Sequence, residues 1–271
     1  MSVRALPPEL AEKARKELNE DPSRINSDIQ HLKDWLSKQP HLRARTDDQW
    51  LLAFLRGCKY SLERTKEKLD LYYSVRTTAP ELFSIKPSNP LFDEILSLGA
   101  ILILPKTATS DSPRVSLIIP GRYDADKYNI TDVMAVSFVL QKIIMMEDDN
   151  AIVAGILSIL DLDTVKMGHF LQMTPMVMKK MVVASQLYVH NQNYEEMYKY
   201  IPKDILPVEY GGSGGSIEEI IDYWRKKVKE YSDWLEEDDQ YGTDESKRPG
   251  KPKTAEDMFG VEGSFRQLEF D

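Results

Sequence analysis

The chain has 271 residues, a formal net charge of −9, 42% apolar residues and a single cysteine. That length suits one large or two small domains with a real core, and one cysteine excludes a disulfide framework or a cysteine zinc cluster. The acidic balance argues against a general nucleic-acid binder, which needs surplus Lys and Arg. The charge is unevenly spread, at +3 over residues 1–86, −5 over 87–215 and −7 over 216–271.

The first 20 residues are charged and hold no apolar stretch like that of a signal peptide. The longest apolar run, Ala151–Leu160, is broken by Ser158 and is too short to cross a bilayer. The expectation is a soluble, cytoplasmic protein.

The N-terminal third reads as helical. Ile25, Ile29, Leu32, Trp35 and Leu36 recur at helical spacing. Thr46-Asp47-Asp48-Gln49 has the form of a capping box, followed by the apolar stripe Trp50, Leu51, Phe54 and Leu55. Gly57 is expected to end that helix, Ser61 to cap the next, and Pro80 to close the unit.

After Pro87 the pattern changes. Leu98–Leu104, Val115–Ile119 and Gly155–Leu162 are short apolar runs bounded by Pro, Gly and Asp, as buried strands are. Thr131 is positioned to cap a helix that carries Val133, Val136, Leu140 and Ile143 or Ile144 on one face. Thr174-Pro175 reads as a further helix start. The fold class is α/β (α+β), with few strands for such a domain. Ser216-Ile217-Glu218-Glu219 is a second capping box, opening an amphipathic helix through Ile220, Ile221, Trp224, Val228 and Tyr231. From Glu236 onward the composition predicts a mobile acidic tail. Three units follow: 1–86, 87–215 and 216–271.

Chemical motifs are sparse. Gly211-Gly212-Ser213-Gly214-Gly215 matches a nucleophile elbow in form, but no His follows residue 190, as that fold requires. The four His residues have no metal-ligand spacing, so neither a metal nor a cofactor is expected. Asp161 and Asp163 follow a strand, where capping the next turn is the commoner role. Glu147, Asp148 and Asp149 read as a solvated run. Nine of the eleven methionines lie between residues 134 and 197, and such adaptable side chains fill gaps in cores or line apolar cavities.

Three ordered stretches resemble the CRAL-TRIO lipid-transfer family. They are Asp47–Ser61 with its Leu55-Arg56-Gly57-Cys58-Lys59-Tyr60 core, Gly155–Asp163 with Gln172-Met173-Thr174-Pro175, and Ile205–Gly212. Pro120-Gly121-Arg122-Tyr123-Asp124 is also similar, and Arg-Gly-Cys-Lys-Tyr resembles the form common in insect members. The resemblance implies an N-terminal helical module on a lipid-binding domain whose sheet floor and helices enclose one apolar ligand, with no covalent chemistry and hence no enzyme. It carries over Met134, Ser137 and Phe138 on one helix, Ile156, Ser158 and Leu160 on the central strand, and Met167, Leu171, Met173 and Met181 beyond it, as ligand-facing positions. For phosphoinositide headgroups it carries over Arg56, with Lys59 beside the Cys58 that replaces a second basic position. The implied partners are a hydrophobic ligand of the retinoid, tocopherol or phospholipid class and, transiently, an anionic membrane, with the chain acting as a monomer.

One departure matters. In the family, a further strand, a gate helix and a basic segment precede the stretch that matches Tyr188-Val189-His190-Asn191, whereas here Gln186 runs directly to Leu187. The resemblance therefore implies an internal deletion near Gln186, as in an alternatively spliced or mispredicted product. Such a form is expected to expose its cavity wall and to fold poorly or bind weakly.

Overall fold

In the computed structural model, residues 3–175, 177, 198 and 201–259 are described. The helical spacing of the N-terminal third produces α1 (Pro8–Leu18), α2 (Ile25–Leu36), α3 (Asp48–Gly57) and α4 (Leu62–Thr78). Ile29, Leu32, Leu36, Trp50, Leu51, Phe54, Leu55, Leu69 and Tyr73 close one core between α2, α3 and α4. Its centre is aromatic: Trp50 meets Phe54, Tyr72 and Trp234 edge to face, and its indole nitrogen donates to the Tyr73 hydroxyl at 3.2 Å. Pro80 opens a 3-10 turn, Pro80–Phe83, that ends the unit.

Beyond it lie α5 (Pro90–Leu98), β2 (Ile101–Ile103), β3 (Arg114–Ile118), α6 (Ile130–Glu147), α7 (Asp149–Ala154), β4 (Ile156–Leu160) and α8 (Met167–Gln172). β2 pairs antiparallel with β3, and β3 pairs parallel with β4, so β4 is an edge of the described sheet. The parallel pairing needs a long crossover, which α6 and α7 supply. A large core spreads from the sheet onto α5, α6 and α9 (Ile217–Glu230).

The family-like stretches interlock around the end of β4. Gly121 has no room for a side chain, because a Cβ there would lie 2.2 Å from Thr164 Oγ1 and 2.7 Å from the Asp163 carbonyl. The Tyr210 hydroxyl donates to Asp161 Oδ2 at 2.5 Å, and Glu209 accepts the Ile217 backbone N–H at the start of α9. Gln172 uses its whole amide: it donates to the carbonyls of Ala125 and Tyr128 and accepts from the Ile130 N–H and the Tyr123 hydroxyl. Asp161 also accepts the Asp163 N–H at 2.8 Å, the expected turn-capping role.

The capping boxes divide. Ser216 and Glu219 cap α9 reciprocally, as the spacing predicts. At α3 the predicted box does not form: the N-cap position is Asp47, and Gln49 Oε1 instead accepts the Arg4 backbone N–H. Ser61 stands at the N-cap of α4 without a side-chain bond, and Asn129 rather than Thr131 caps α6. The Thr174 hydroxyl accepts the Val177 N–H, as a cap would.

Two expectations about charge are corrected. Asp148 and Asp149 are buried rather than solvated, Asp148 against Arg114 and Asp149 against Arg4 and Arg56. The tail is not loose up to residue 259. After α10 (Ser232–Glu236), β5 (Gly242–Thr243) pairs with β1 (Leu42–Arg43), Arg248 and Lys253 grip Asp70, and α11 (Ala255–Phe259) buries Phe259 beside α4. Composition suggests disorder because few of these residues are apolar, but paired charges and short β pairing hold the segment down.

Candidate ligand-binding site

Register decides which side chains share the sheet face. Ser116 lies opposite Ser158 and Ile118 opposite Leu160 in the parallel pair, while Ile101 and Ile103 lie opposite Ile118 and Ser116 in the antiparallel one. Ile101, Ile103, Ser116, Ile118, Ile156, Ser158 and Leu160 therefore form one face, and Leu102, Val115, Leu117, Leu157 and Ile159 form the other. The first face also includes Arg114, opposite Ile156 at one end and paired with Asp148; the rest is apolar apart from the Ser116 and Ser158 hydroxyls, which bond each other at 2.7 Å. Ile156 at its edge is 41% exposed. The three strand positions carried over from the resemblance are thus brought together.

The same apolar character continues past the strand. On α8, Met167 is 71% exposed and Leu171 is 74% exposed, one helical turn apart, with Phe170 also exposed; Leu162, in the loop after β4, is exposed as well. Met173 is half-buried against the main core. Met181 lies outside the described residues.

The α6 positions are otherwise engaged. Met134 and Ser137 are buried, and the Ser137 hydroxyl donates to the Met134 carbonyl of its own helix at 2.8 Å. Phe138 stacks on Phe83, with ring centroids 5.4 Å apart, which sets it at the junction with the helical module. Clefts among the described residues include one lined by Arg76, Phe83, Lys142 and Asp238 and another lined by Leu104, Arg114, Glu147 and Trp224. Neither is lined by the carried-over set.

Arg56 requires a correction. It is 1% exposed, its Nε and Nη2 donate to Glu20, and its Nη1 donates to Asp149 at 3.0 Å. The two carboxylates raise its pKa against the opposing effect of burial. A headgroup cannot reach this guanidinium, which ties α3 to α7 and to the chain between α1 and α2. Lys59 is exposed, in a left-handed turn with φ of 51°, and the expected second basic neighbour is replaced by Cys58. The buried Glu20 that neutralises Arg56 lies 36 positions away in sequence, so no local pattern announces the pair.

The fold is a mixed α/β layer carrying an N-terminal helical module and an apolar sheet face. A family model described as "Pinta-like, UBA domain" matches residues 21–94, from before α2 into the first half of α5. The human protein named alpha-tocopherol transfer protein-like is 29% identical, over 80% of this chain and 73% of its own length. Human clavesin-2 is 23% identical over 91% of this chain and 85% of its own, and Xenopus laevis clavesin-1 is 22% identical over 77% and 74%. The chain is thus similar over most of its length to lipid-transfer proteins, in line with the resemblance to the CRAL-TRIO family. The clavesin-2 alignment runs over 287 positions, more than the 271 residues of this chain, so it includes positions of that relative with no counterpart here.

Proposed function

We propose that this protein binds a hydrophobic small molecule of the retinoid, tocopherol or phospholipid class and transfers it, as a carrier and not an enzyme. The observation that carries this reading is the largely apolar sheet face with its central Ser116–Ser158 hydroxyl pair, followed in the chain by the exposed Met167, Phe170 and Leu171. Such a wall suits an apolar ligand with one polar group. A relative named for alpha-tocopherol transfer supports the class of cargo without naming it. We place the protein in the cytoplasm as a monomer with transient contact to anionic or phosphoinositide-containing membrane. That contact does not run through Arg56.

The test is retention and exchange of fluorescent retinoid, tocopherol and phospholipid by the purified chain. Saturable uptake of one of them at unit stoichiometry supports the carrier, and uptake of none overturns it. Ser158→Ala is expected to weaken uptake of a ligand with a polar group by a factor of about 5–10, the worth of one neutral hydrogen bond.

A second reading rests on the length of the clavesin-2 alignment. Here the chain is a splice form that lacks the strand, gate and basic segment expected near Gln186, and it has lost cargo transfer or serves as a phosphoinositide-binding adaptor. Sequencing the transcript across the codons for residues 185–187 separates a splice form from a mispredicted product. Liposome flotation with and without phosphoinositide, run beside the cargo assay, separates the two activities.

A further inference from the structure

Four elements bring charge to one buried point between the helical module and the lipid domain. Arg45 precedes α3, Arg76 lies on α4, Lys142 on α6, and Asp238 follows α10. Asp238 Oδ1 accepts from Arg45 Nε at 3.2 Å, Oδ2 accepts from Arg76 Nη1 at 2.5 Å and also from Lys142 Nζ, and the Asp238 carbonyl accepts from Arg76 Nη2 at 2.9 Å. All four side chains are nine-tenths buried. Among the described residues, the remaining acid in contact is Glu237, which reaches Arg45 at 3.3 Å from the solvent side and is half exposed.

Three buried cations thus face one buried carboxylate. Aromatic rings soften the imbalance: the Arg45 guanidinium lies 3.9 Å from the Trp234 ring centre and 4.6 Å from that of Tyr241, while Arg76 lies 5.3 Å from Phe83. They do not remove it. Arg76 Nε is buried, and the Tyr72 hydroxyl that interacts with Arg76 is kept neutral by burial and adds no countercharge. Burial and the two arginines push the Lys142 ammonium down to about 8, against the pull of Asp238. Asp238 is held below the usual carboxylate range by the same cations. Both carboxylate oxygens are already used, so a group with more oxygens and more charge would match the three cations better. A phosphate has both, with three free oxygens and about −1.5 to −2 charge at neutral pH. The cleft beside the cluster, lined by Phe83, Ile85, Lys86, Ala135 and Val139 and crossed by the Lys86–Asp239 ion pair, leads to this point.

We propose that Arg45, Arg76 and Lys142 form an anion socket for a phosphate group, which Asp238 of the C-terminal segment fills in cis, so that phosphate and this segment compete for one site. The socket is separate from the β4 face and does not depend on the carrier reading. Occupation by phosphate releases Asp238 from α4 and α6, while β5 and the Asp70 contacts continue to hold the rest of the segment.

The test is anion rescue in the full chain. Wild type, Asp238→Ala and Asp239→Ala are melted in chloride and in inorganic phosphate at equal ionic strength. Asp238→Ala is expected to lose roughly 5–10 °C in chloride and to regain at least half of it, saturably, with millimolar phosphate. Wild type and Asp239→Ala shift little, and the double variant Lys142→Met with Asp238→Ala is not rescued. An equal, non-saturating rise in all variants overturns the proposal. If Asp238→Ala does not fold, the titration is run on Asp238→Asn, where rescue supports the socket and its absence overturns it. Replacing inorganic phosphate with vesicles of phosphatidylcholine containing phosphatidylinositol phosphate identifies the source. Rescue by vesicles assigns a headgroup, and rescue by free phosphate alone assigns a soluble phosphate.

Discussion

Arg56 shows how a basic residue in a family-like motif can serve the interior. Buried between Glu20 and Asp149, it leaves the buried Glu20 without a cation when removed and Asp149 with Arg4 alone. Arg56→Ala should therefore cost about 3–5 kcal/mol, read as a lowered urea midpoint with unchanged slope. Its effect on binding to phosphoinositide vesicles should vanish once unfolded protein is excluded from the count. Lys142 gives a pH signature of definite sign. Its pKa falls from 10.5 to about 8 in the fold, so between these values the unfolded chain binds more protons and stability rises with pH. Below pH 8 both states are protonated, and the fold carries the full cost of the buried charge. Subtracting the melting curve of Lys142→Met from that of wild type should isolate this rise, and a flat difference between pH 8 and 10.5 would contradict it.

Elements are secured by polar side chains whose roles are only partly local. Ser216 caps α9 within four residues, a spacing legible in the sequence alone. Ser216→Ala should cost about 1 kcal/mol, seen in chemical denaturation. Gln172 is the contrary case. Its four bonds fasten α8 to the 123–130 loop, yet the sequence shows only a glutamine before Met-Thr-Pro. Gln172→Leu keeps the bulk but strands the Ile130 N–H and two carbonyls. It should lower stability by about 2–3 kcal/mol and speed amide exchange at Ile130. The strands are legible as apolar runs, but their shared face comes from pairing, which places Ser116 opposite Ser158 over 42 residues of separation.

At the scale of the molecule, the C-terminal segment is the main difference from expectation. Residues 237–259 pair with β1, fill the Arg45–Arg76–Lys142 cluster and bury Phe259. A chain ending at Glu236 should lose more stability than Arg56→Ala does, because three cations and the β1 edge are uncovered together. Denaturant melts of the two proteins provide the comparison. The apolar surface at Ile156, Leu162, Met167, Phe170 and Leu171 belongs to the same scale. Exposed patches of this kind favour self-association when no partner covers them. Light scattering should show particles that diminish when a bound lipid is supplied, and scattering unaffected by lipid would argue that the patch is inert.

Sequence by itself determined the elements with strong periodicity: α2, α3 and α4 of the N-terminal third, α6, α9 and the three central strands, along with the family resemblance and the apolar character of β4. These depend on spacings of a few residues, which the chain carries locally. Tertiary structure decided the fate of the charges. Whether Arg56, Asp149 or Asp238 meets solvent or a buried partner depends on residues 36, 93 or 162 positions away. Burial, not residue type, sets how strongly a charge must be paired, and burial is fixed only when distant segments meet.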